Sequence, residues 1–329
     1  MELQLKNIGM IKEANVKLDG LTVIAGENDT GKTTVGKVLY CVANSVQNNN
    51  VSSTLMSNCL ISLFKHNINN GTKGEISVIY DNDKVHYEIE NDRKDSFFAH
   101  GKISDSEIKT CIMIESPLVW NFTDFFRDIA QIESQMNIKL DYPYLMKDLN
   151  FKLHIKSASN GLDIKDEMTS LMGGEFKKDE LGHYYFDKKG KRIELVNTAT
   201  GIKTFGIFQV LSQNNYLNKD TVLVLDEPEV HLHPKWQLEM AKVIVELVKN
   251  GVKVLVNSHS PYMIEALKRY SEVEEIEDKT NFYLAEDGYI KQIEDSNSKT
   301  LVEIYEKLSE PYDVFEKMDS QRMEKFING

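Results

Sequence analysis

Eight residues near the N-terminus constrain the fold of this chain more than any other segment. They fit the pattern G-x-x-x-x-G-K-[ST] at every specified position: Gly26, Glu27, Asn28, Asp29, Thr30, Gly31, Lys32 and Thr33. The apolar run Leu21 to Ile24 precedes the motif, and a helix is predicted from about Lys32 to Val46. A chance match on a turn rarely has both of these neighbours. The pattern therefore predicts a phosphate-binding loop.

The residue types of this loop indicate its ligands. The glycines let backbone N–H groups approach phosphate oxygens, and the helix N-terminus adds the positive end of its dipole. Lys32 is expected to reach the outer phosphates and assist catalysis, while the Thr33 hydroxyl ligates Mg²⁺. Thr34 extends the same cradle. The motif thus predicts ATP and Mg²⁺ as cofactors.

A short apolar run that ends in two carboxylates predicts the other half of the site. Val222 to Leu225 are followed directly by Asp226 and Glu227. In a buried parallel strand this end lies at the carboxyl edge of the sheet, where Asp226 is expected to hold Mg²⁺. Glu227 points differently and is predicted to activate the attacking water. The alternative is a strand that runs into a polar turn, and the phosphate loop in the same chain disfavours it.

The spacing of apolar residues predicts an α/β fold with a mixed central sheet. Short antiparallel strands are expected within residues 2–25, and the last third alternates between strand and helix at 222–225, 234–250, 252–256 and 261–269. This alternation indicates parallel strands with right-handed crossovers. Hairpins are predicted at 76–89 around Asp81-Asn82-Asp83, at 184–196 and at 282–293, with helices over 299–327.

The middle of the chain predicts an insertion into this fold. Residues 117–170 have mixed helical spacing, with Pro143 as a break, and are interpreted as an inserted helical lid. No sustained heptad pattern accompanies them, so no long coiled-coil arm is expected. The predicted organisation is the first part of a head at 1–116, a lid at 117–182, the second part of the head at 183–270, and a C-terminal hairpin with helices at 271–329.

Two further motifs give the sequence a family resemblance. The run Asp226 to Pro234 reads DEPEVHLHP and the run Asn257 to Pro261 reads NSHSP. Together they resemble the strand ends of ABC-type ATPases of the OLD-like AAA group. The resemblance implies a P-loop NTPase fold of the ABC-ATPase head type and ATP hydrolysis. It also implies that His259 is a switch histidine that contacts the terminal phosphate and orients the water.

The histidines of these motifs also have simpler interpretations. His259 stands just before a predicted helix start, where it could cap that helix, but its place at the carboxyl edge of a strand favours the catalytic role. His231 and His233 alternate as two metal ligands can, yet no third ligand accompanies them. They are interpreted as structural or dimer-facing residues.

A short segment before the acidic strand is similar to the signature motif of ABC-type proteins, although it departs from S-G-G-[QE]. Thr200 is interpreted as a hydroxyl N-cap, Gly201 as the small residue that allows close approach, and Lys203 as an added cation. Its target would be ATP on an opposite subunit, which implies a homodimer or a pair with a homologous head. The alternative is a capped helix after a hairpin. No Q-loop glutamine is identifiable, and the run Ile114 to Pro117 is only a positional candidate.

Composition limits the other functional classes. The formal net charge is -12 and no Lys/Arg-rich arm is present, so nucleic-acid contact stays an open question. Three cysteines without CxxC spacing support neither a zinc site nor a disulfide framework. No signal peptide or apolar span is visible, which predicts a cytoplasmic protein without a membrane partner.

The resemblance extends to the biological role. OLD-family nucleases carry a Toprim domain after the ATPase, whereas the residues after His259 lack clustered acidic ligands. This implies an ATPase that pairs on ATP and regulates a separate effector, a nuclease or toxin, in bacterial antiphage defence. The alternatives are a nuclease gated by its own ATPase and an ATP-dependent scaffold that does not hydrolyse.

Overall fold

The computed structural model describes most of the chain. The described residues are 1–47, 50–65, 68–69, 71–80, 83–90, 97–101, 109–137 and 143–327. Asp81 and Asn82 of the predicted turn lie outside them. The strands are β1 (Glu2–Ile8), β2 (Ile11–Lys17), β3 (Leu21–Ala25), β4 (Val46–Gln47), β5 (Asn50–Val51), β6 (Gly74–Tyr80), β7 (Asp83–Ile89), β8 (Phe97–Gly101), β9 (Thr110–Ile114), β10 (Glu175–Lys178), β11 (Tyr184–Lys188), β12 (Lys191–Glu194), β13 (Thr221–Asp226), β14 (Lys253–Ser258), β15 (Thr280–Glu286) and β16 (Tyr289–Lys291). The helices are α1 (Lys32–Ser45), α2 (Ser53–Phe64), α3 (Thr123–Met136), α4 (Tyr144–His154), α5 (Lys165–Met172), α6 (Thr200–Gln213), α7 (Pro234–Lys249), α8 (Pro261–Val273) and α9 (Asn297–Ile327).

A mixed sheet organises the fold. Across the described residues it has eleven strands in the order β8-β7-β6-β1-β2-β16-β15-β3-β14-β13-β9. The strands from β15 to β9 are parallel, and those from β8 to β2 are antiparallel. The predicted mixed sheet with antiparallel N-terminal strands is therefore confirmed.

Burial on both faces explains the continuous apolar run of β13. Val222 and Val224 face one core cluster, which includes residues of α1 and of the antiparallel strands. Leu223 and Leu225 face the other cluster, which includes residues of α6, α7 and α8. Successive side chains of a strand point to opposite faces, so a central strand covered on both sides needs apolar residues at every position. The carboxyl ends of β3, β13 and β14 consequently meet at one edge.

The three predicted hairpins are present, two of them in the mixed sheet and the β11–β12 hairpin in a separate sheet with β10. β6 pairs with β7, β11 pairs with β12, and β15 pairs with β16, each in antiparallel register. β15 also pairs in parallel with β3, and β16 pairs in parallel with β2. This last hairpin therefore joins the parallel and antiparallel halves of the sheet, an arrangement that its local pattern did not predict.

The segment predicted as a lid contributes to the main core. It contains α3, α4 and α5, together with strand β10. Leu149 and Leu153 of α4 and Met168 of α5 lie in the same buried cluster as Leu223. In the part of residues 117–182 that the structure describes, no helix is longer than the 14 residues of α3. The predicted lack of a long coiled-coil arm agrees with that, whereas the predicted domain boundaries stay a prediction.

The C-terminal helices predicted over 299–327 form a single helix, α9, with Pro311 inside it. Leu301 and Ile304 anchor its first half in the core. The sequence predicted more than one helix here, but a single helix continues past the proline.

Candidate active site

The phosphate-loop motif lies between β3 and α1, as the sequence predicts. Gly26 has φ +155°, and a Cβ there would lie 2.2 Å from the carbonyl oxygen of Ala285. Gly31 has φ +95° and a Cβ there would lie 2.9 Å from Ile11 Cγ1. Neither position can take a side chain without strain. The first turn of α1 has no side-chain cap, so its N–H groups are available to an anion.

Lys32 is a buried cation in this loop. Its ammonium donates to the carbonyl oxygens of Gly26 at 2.9 Å and Glu27 at 2.5 Å. Burial lowers the pKa of Lys32, and the nearby carboxylates, Glu227 first among them, oppose that effect. A phosphate in the loop would give this ammonium a charge-assisted partner. Thr34, by contrast, is buried and lies against Gly9.

Thr33 and Asp226 meet at the carboxyl edge of the sheet. The Thr33 hydroxyl donates to Asp226 Oδ2 at 2.9 Å, although the two residues are far apart in the chain. Hard oxygen donors suit Mg²⁺, and two adjacent ligands of an octahedral ion with bonds of about 2.1 Å are about 3.0 Å apart. These residues therefore fit the predicted metal, since both the donor types and their spacing match.

Asn257 completes this corner and was not predicted as a site residue. Parallel pairing places Asp226 beside Asn257, whose amide donates to Asp226 Oδ1 at 2.7 Å. Its amide oxygen is buried and has no hydrogen-bond partner within the described part of the chain. Its place at the end of the strand that follows Asp226 was the available sequence signal, because parallel strands end at a common edge.

Glu227 and His259 form a second pair at the same edge. The backbone of Glu227 turns to φ 51°, in the left-handed region, which ends the strand geometry directly after Asp226. His259 Nδ1 lies 3.2 Å from Glu227 Oε1. The side chain of Ser260, not that of His259, caps α8. The interpretation of His259 as a helix cap therefore does not describe this structure.

Glu229 links the two motifs, and the sequence reasoning missed its role. It is 4% exposed. Its Oε1 accepts from the Ser258 hydroxyl at 2.7 Å and from the backbone N–H groups of His259 at 2.9 Å and Ser260 at 3.2 Å. Its Oε2 is buried without a partner among the described residues. A buried carboxylate is rare unless it is bonded, and here it fixes the backbone that carries His259.

Three further residues complete the description of this region. Glu115, in the run considered for a Q-loop, follows the end of β9 beside β13. Burial raises the pKa of Glu115, an effect that Lys37, 3.9 Å away, opposes. His233 accepts a hydrogen bond from the N–H of Lys235 and so caps α7, which is a structural role. His231 is exposed in the preceding loop, at φ 67°.

The signature-like segment begins α6, but the predicted cap is wrong. The N-cap is Ala199 rather than Thr200, and no side chain caps this helix. A Cβ on Gly201 would lie 3.3 Å from Leu232 Cδ2, so close packing within the chain also favours glycine here. The Lys203 ammonium donates to Asn121 Oδ1 at 2.8 Å, and burial lowers the pKa of Lys203. Within the described part of the chain, the Lys203 side chain therefore already has a hydrogen-bond partner in Asn121.

Comparisons with known proteins agree with this architecture. Residues 121–264 match the AAA ATPase domain family. The chain is similar to the crystal structure of an Smc head bound to the C-winged helix domain of ScpA, with 14% sequence identity and a TM-score of 0.52. The match covers 89% of this chain and 96% of that one. The fold is that of an ABC-type P-loop ATPase head. An Smc head domain with an extended coiled coil, bound to the C-terminal domain of ScpA derived from Pyrococcus furiosus, is also similar, with 14% identity, a TM-score of 0.50 and coverage of 94% and 99%.

No curated protein matches the chain at a significant level. The OLD-like subgroup inferred from DEPEVHLHP stays a prediction. Among the described helices, none is both long and apolar enough to cross a membrane.

Proposed function

We propose that this ATPase head binds ATP with Mg²⁺ and hydrolyses it. The observation that carries the proposal is the convergence of two pairs at one sheet edge: Thr33 with Asp226 at 2.9 Å, and Glu227 with His259 at 3.2 Å. Lys32 lies near both, since the carboxylates of Glu227 and Asp226 act on its pKa. Phosphate binding, metal binding and water activation need these groups together.

The proposed chemistry assigns one task to each residue. The Glu227 carboxylate accepts a proton from the attacking water, as a general base. His259 holds that carboxylate and contacts the terminal phosphate, and Lys32 stabilises negative charge on the outer phosphate oxygens. Thr33 and Asp226 would hold Mg²⁺, which supplies charge neutralisation at the phosphates when bound. The contact between Glu227 and His259 favours hydrolysis over a scaffold without turnover.

The decisive experiment replaces the base. Glu227→Gln should bind Mg-ATP with unchanged affinity but turn it over about 10²- to 10⁴-fold more slowly, because an amide cannot accept the proton. Binding is measured by titration calorimetry and turnover by phosphate release. Lys235→Gln, a nearby charge change on an exposed side chain, is the control and should retain wild-type turnover. Normal turnover by Glu227→Gln would move the base elsewhere, with His259 the next candidate.

The proposal extends to assembly and biological role. ATP would join two heads, with Thr200, Gly201 and Lys203 acting on the nucleotide of the partner. Two observations support this: α6 lacks a side-chain cap, which leaves N–H groups for an anion, and Gly201 adjoins Leu232 in the loop after Glu227. The regulation of a separate cytoplasmic effector, a nuclease or toxin in antiphage defence, comes from the family resemblance alone.

A further inference from the structure

The second half of α9 is a helix that nothing in the described chain covers. Every residue from 309 to 323 is exposed, whereas the first half is anchored by Leu301 and Ile304. Isolated helices of about 12 to 15 residues are marginal in water, and Pro311 removes one hydrogen bond from this one. A stable helix of this kind therefore needs a partner surface.

The exposed half has an apolar stripe. Tyr312 is 68% exposed, Phe315 57%, Met318 59% and Met323 67%. Residues three and four apart lie on the same face of a helix, so the first three of these are neighbours along one side. Asp319 and Arg322 lie on the same side and make no ion pair within the described residues. The stripe thus combines apolar contacts with two unpaired charges of opposite sign.

The sequence of this segment is complementary to its own reverse. Over residues 314–327, counted outward from the bond between Ser320 and Gln321, each apolar residue stands opposite an apolar residue and each charge opposite its opposite: Asp319 with Arg322, Met318 with Met323, Lys317 with Glu324, Glu316 with Lys325, Phe315 with Phe326, and Val314 with Ile327. No core contact requires this order at 309–323, because the whole segment is exposed.

We propose that two copies of this chain associate through the second halves of their α9 helices, packed antiparallel. A two-fold axis at the Ser320–Gln321 bond would place Asp319 of each copy opposite Arg322 of the other, and Met318 opposite Met323. Such an interface is isologous, and each contact occurs twice. A parallel, in-register pair would instead set Asp319 against Asp319 and Arg322 against Arg322. Charge complementarity therefore selects a second copy in the antiparallel orientation.

This association needs no nucleotide, which separates it from the ATP-driven pairing of heads. The first test measures the mass of the full chain without ATP by sedimentation equilibrium. The wild type should be a dimer at micromolar concentration, and Phe315→Glu should be a monomer whose ATPase head remains folded. Val302→Glu is the matched control, because Val302 is also an exposed apolar residue of α9 but lies on the anchored half, and it should remain dimeric. A monomeric wild type would overturn the proposal and leave the proposed ATPase activity standing.

Charge reversal tests the orientation. Asp319→Arg and Arg322→Asp should each weaken the dimer about 10- to 100-fold, since each turns two attractive contacts into two repulsive ones. The double variant Asp319→Arg, Arg322→Asp should restore the wild-type dissociation constant, because the charges then face each other in the opposite sense. Failure of the double variant to recover, with both single variants weakened, would refute the antiparallel register. Single variants that dimerise like the wild type would refute it as well.

Discussion

Glu229 provides the sharpest test of how this site is held together, because leucine and glutamine at this position should behave differently. Glu229 Oε1 accepts three hydrogen bonds, from Ser258 Oγ and from the N–H groups of His259 and Ser260. Leucine has a similar size but accepts none of them. Glutamine retains an acceptor oxygen in the same place, and its amide group would replace the buried Oε2 that has no partner in the described chain.

The magnitude follows from the orphaned groups. The Ser258 hydroxyl can rotate to another acceptor, and the Ser260 N–H also donates to Ser258 Oγ at 3.1 Å. The His259 N–H is therefore the donor that loses its acceptor, and it cannot be re-aimed without moving the loop. A buried donor left without a partner costs about 1 to 3 kcal/mol. Loss of the unpartnered Oε2 offsets part of that cost, so Glu229→Leu should destabilise the fold by about 1 to 3 kcal/mol. For a chain of 329 residues this corresponds to a melting temperature lower by about 1 to 4 °C.

The assay measures three quantities on each variant. Glu229→Leu should melt at a lower temperature. Its affinity for Mg-ATP should stay within about threefold of wild type, because Glu229 makes no hydrogen bond with the phosphate loop in the described chain. Its turnover should fall about 10-fold or more, since a misplaced His259 no longer orients Glu227. Glu229→Gln should stay near wild type in all three. Wild-type turnover by a folded Glu229→Leu protein would show that Glu229 does not position His259. Equal losses in both variants would mean that its charge matters rather than its acceptor geometry.

Two further predictions concern the phosphate loop and the signature-like segment. Lys32→Ala should lose a charge-assisted phosphate contact worth about 1.5 to 3 kcal/mol, or roughly 10- to 150-fold in ATP affinity by calorimetry, and unchanged affinity in a folded protein would contradict the role of Lys32. Gly201→Asp is tested in a background of Glu227→Gln, which blocks turnover, and Asp319→Arg, which weakens the α9 contact. It should abolish any ATP-driven increase in the mass of the particle, because a carboxylate at this position would clash with and repel the phosphate. Gly201→Ala is its control for packing against Leu232. If the proteins with aspartate and with glycine at position 201 associate equally on ATP, the signature-like segment is not part of the interface.

The chemistry of the site could largely be predicted because its signals are local. The phosphate loop is a contiguous motif, and an apolar strand followed by Asp226 and Glu227 indicates the carboxyl edge of a sheet without knowledge of the fold. The parallel order of the strands followed from the alternation of strand and helix, and the spacing of apolar residues indicated that alternation. The same regularity made the three hairpins predictable.

The N-cap of α6 shows where local reasoning fails. A hydroxyl residue before a helical run normally indicates a cap, which favoured Thr200. The helix instead includes Thr200 and begins after Ala199, whose backbone is extended at φ -59° and ψ 141°. The short 3₁₀ turn after β12 and the packing of Gly201 near Leu232 set this start, and both depend on the path of the chain through the fold.

By itself, the sequence determined the class of fold, the phosphate loop and the acidic strand end. Each of these depends on neighbours within one element, where spacing and geometry are fixed by the backbone. Only the tertiary structure showed that Glu229 holds His259, that Asn257 holds Asp226, and that β15 and β16 join the two halves of the sheet. These contacts join residues distant in the chain, and many pairings of strands are compatible with the same local pattern. Their geometry is decided when both faces of the sheet are buried, because that burial fixes which strands are adjacent and in which register.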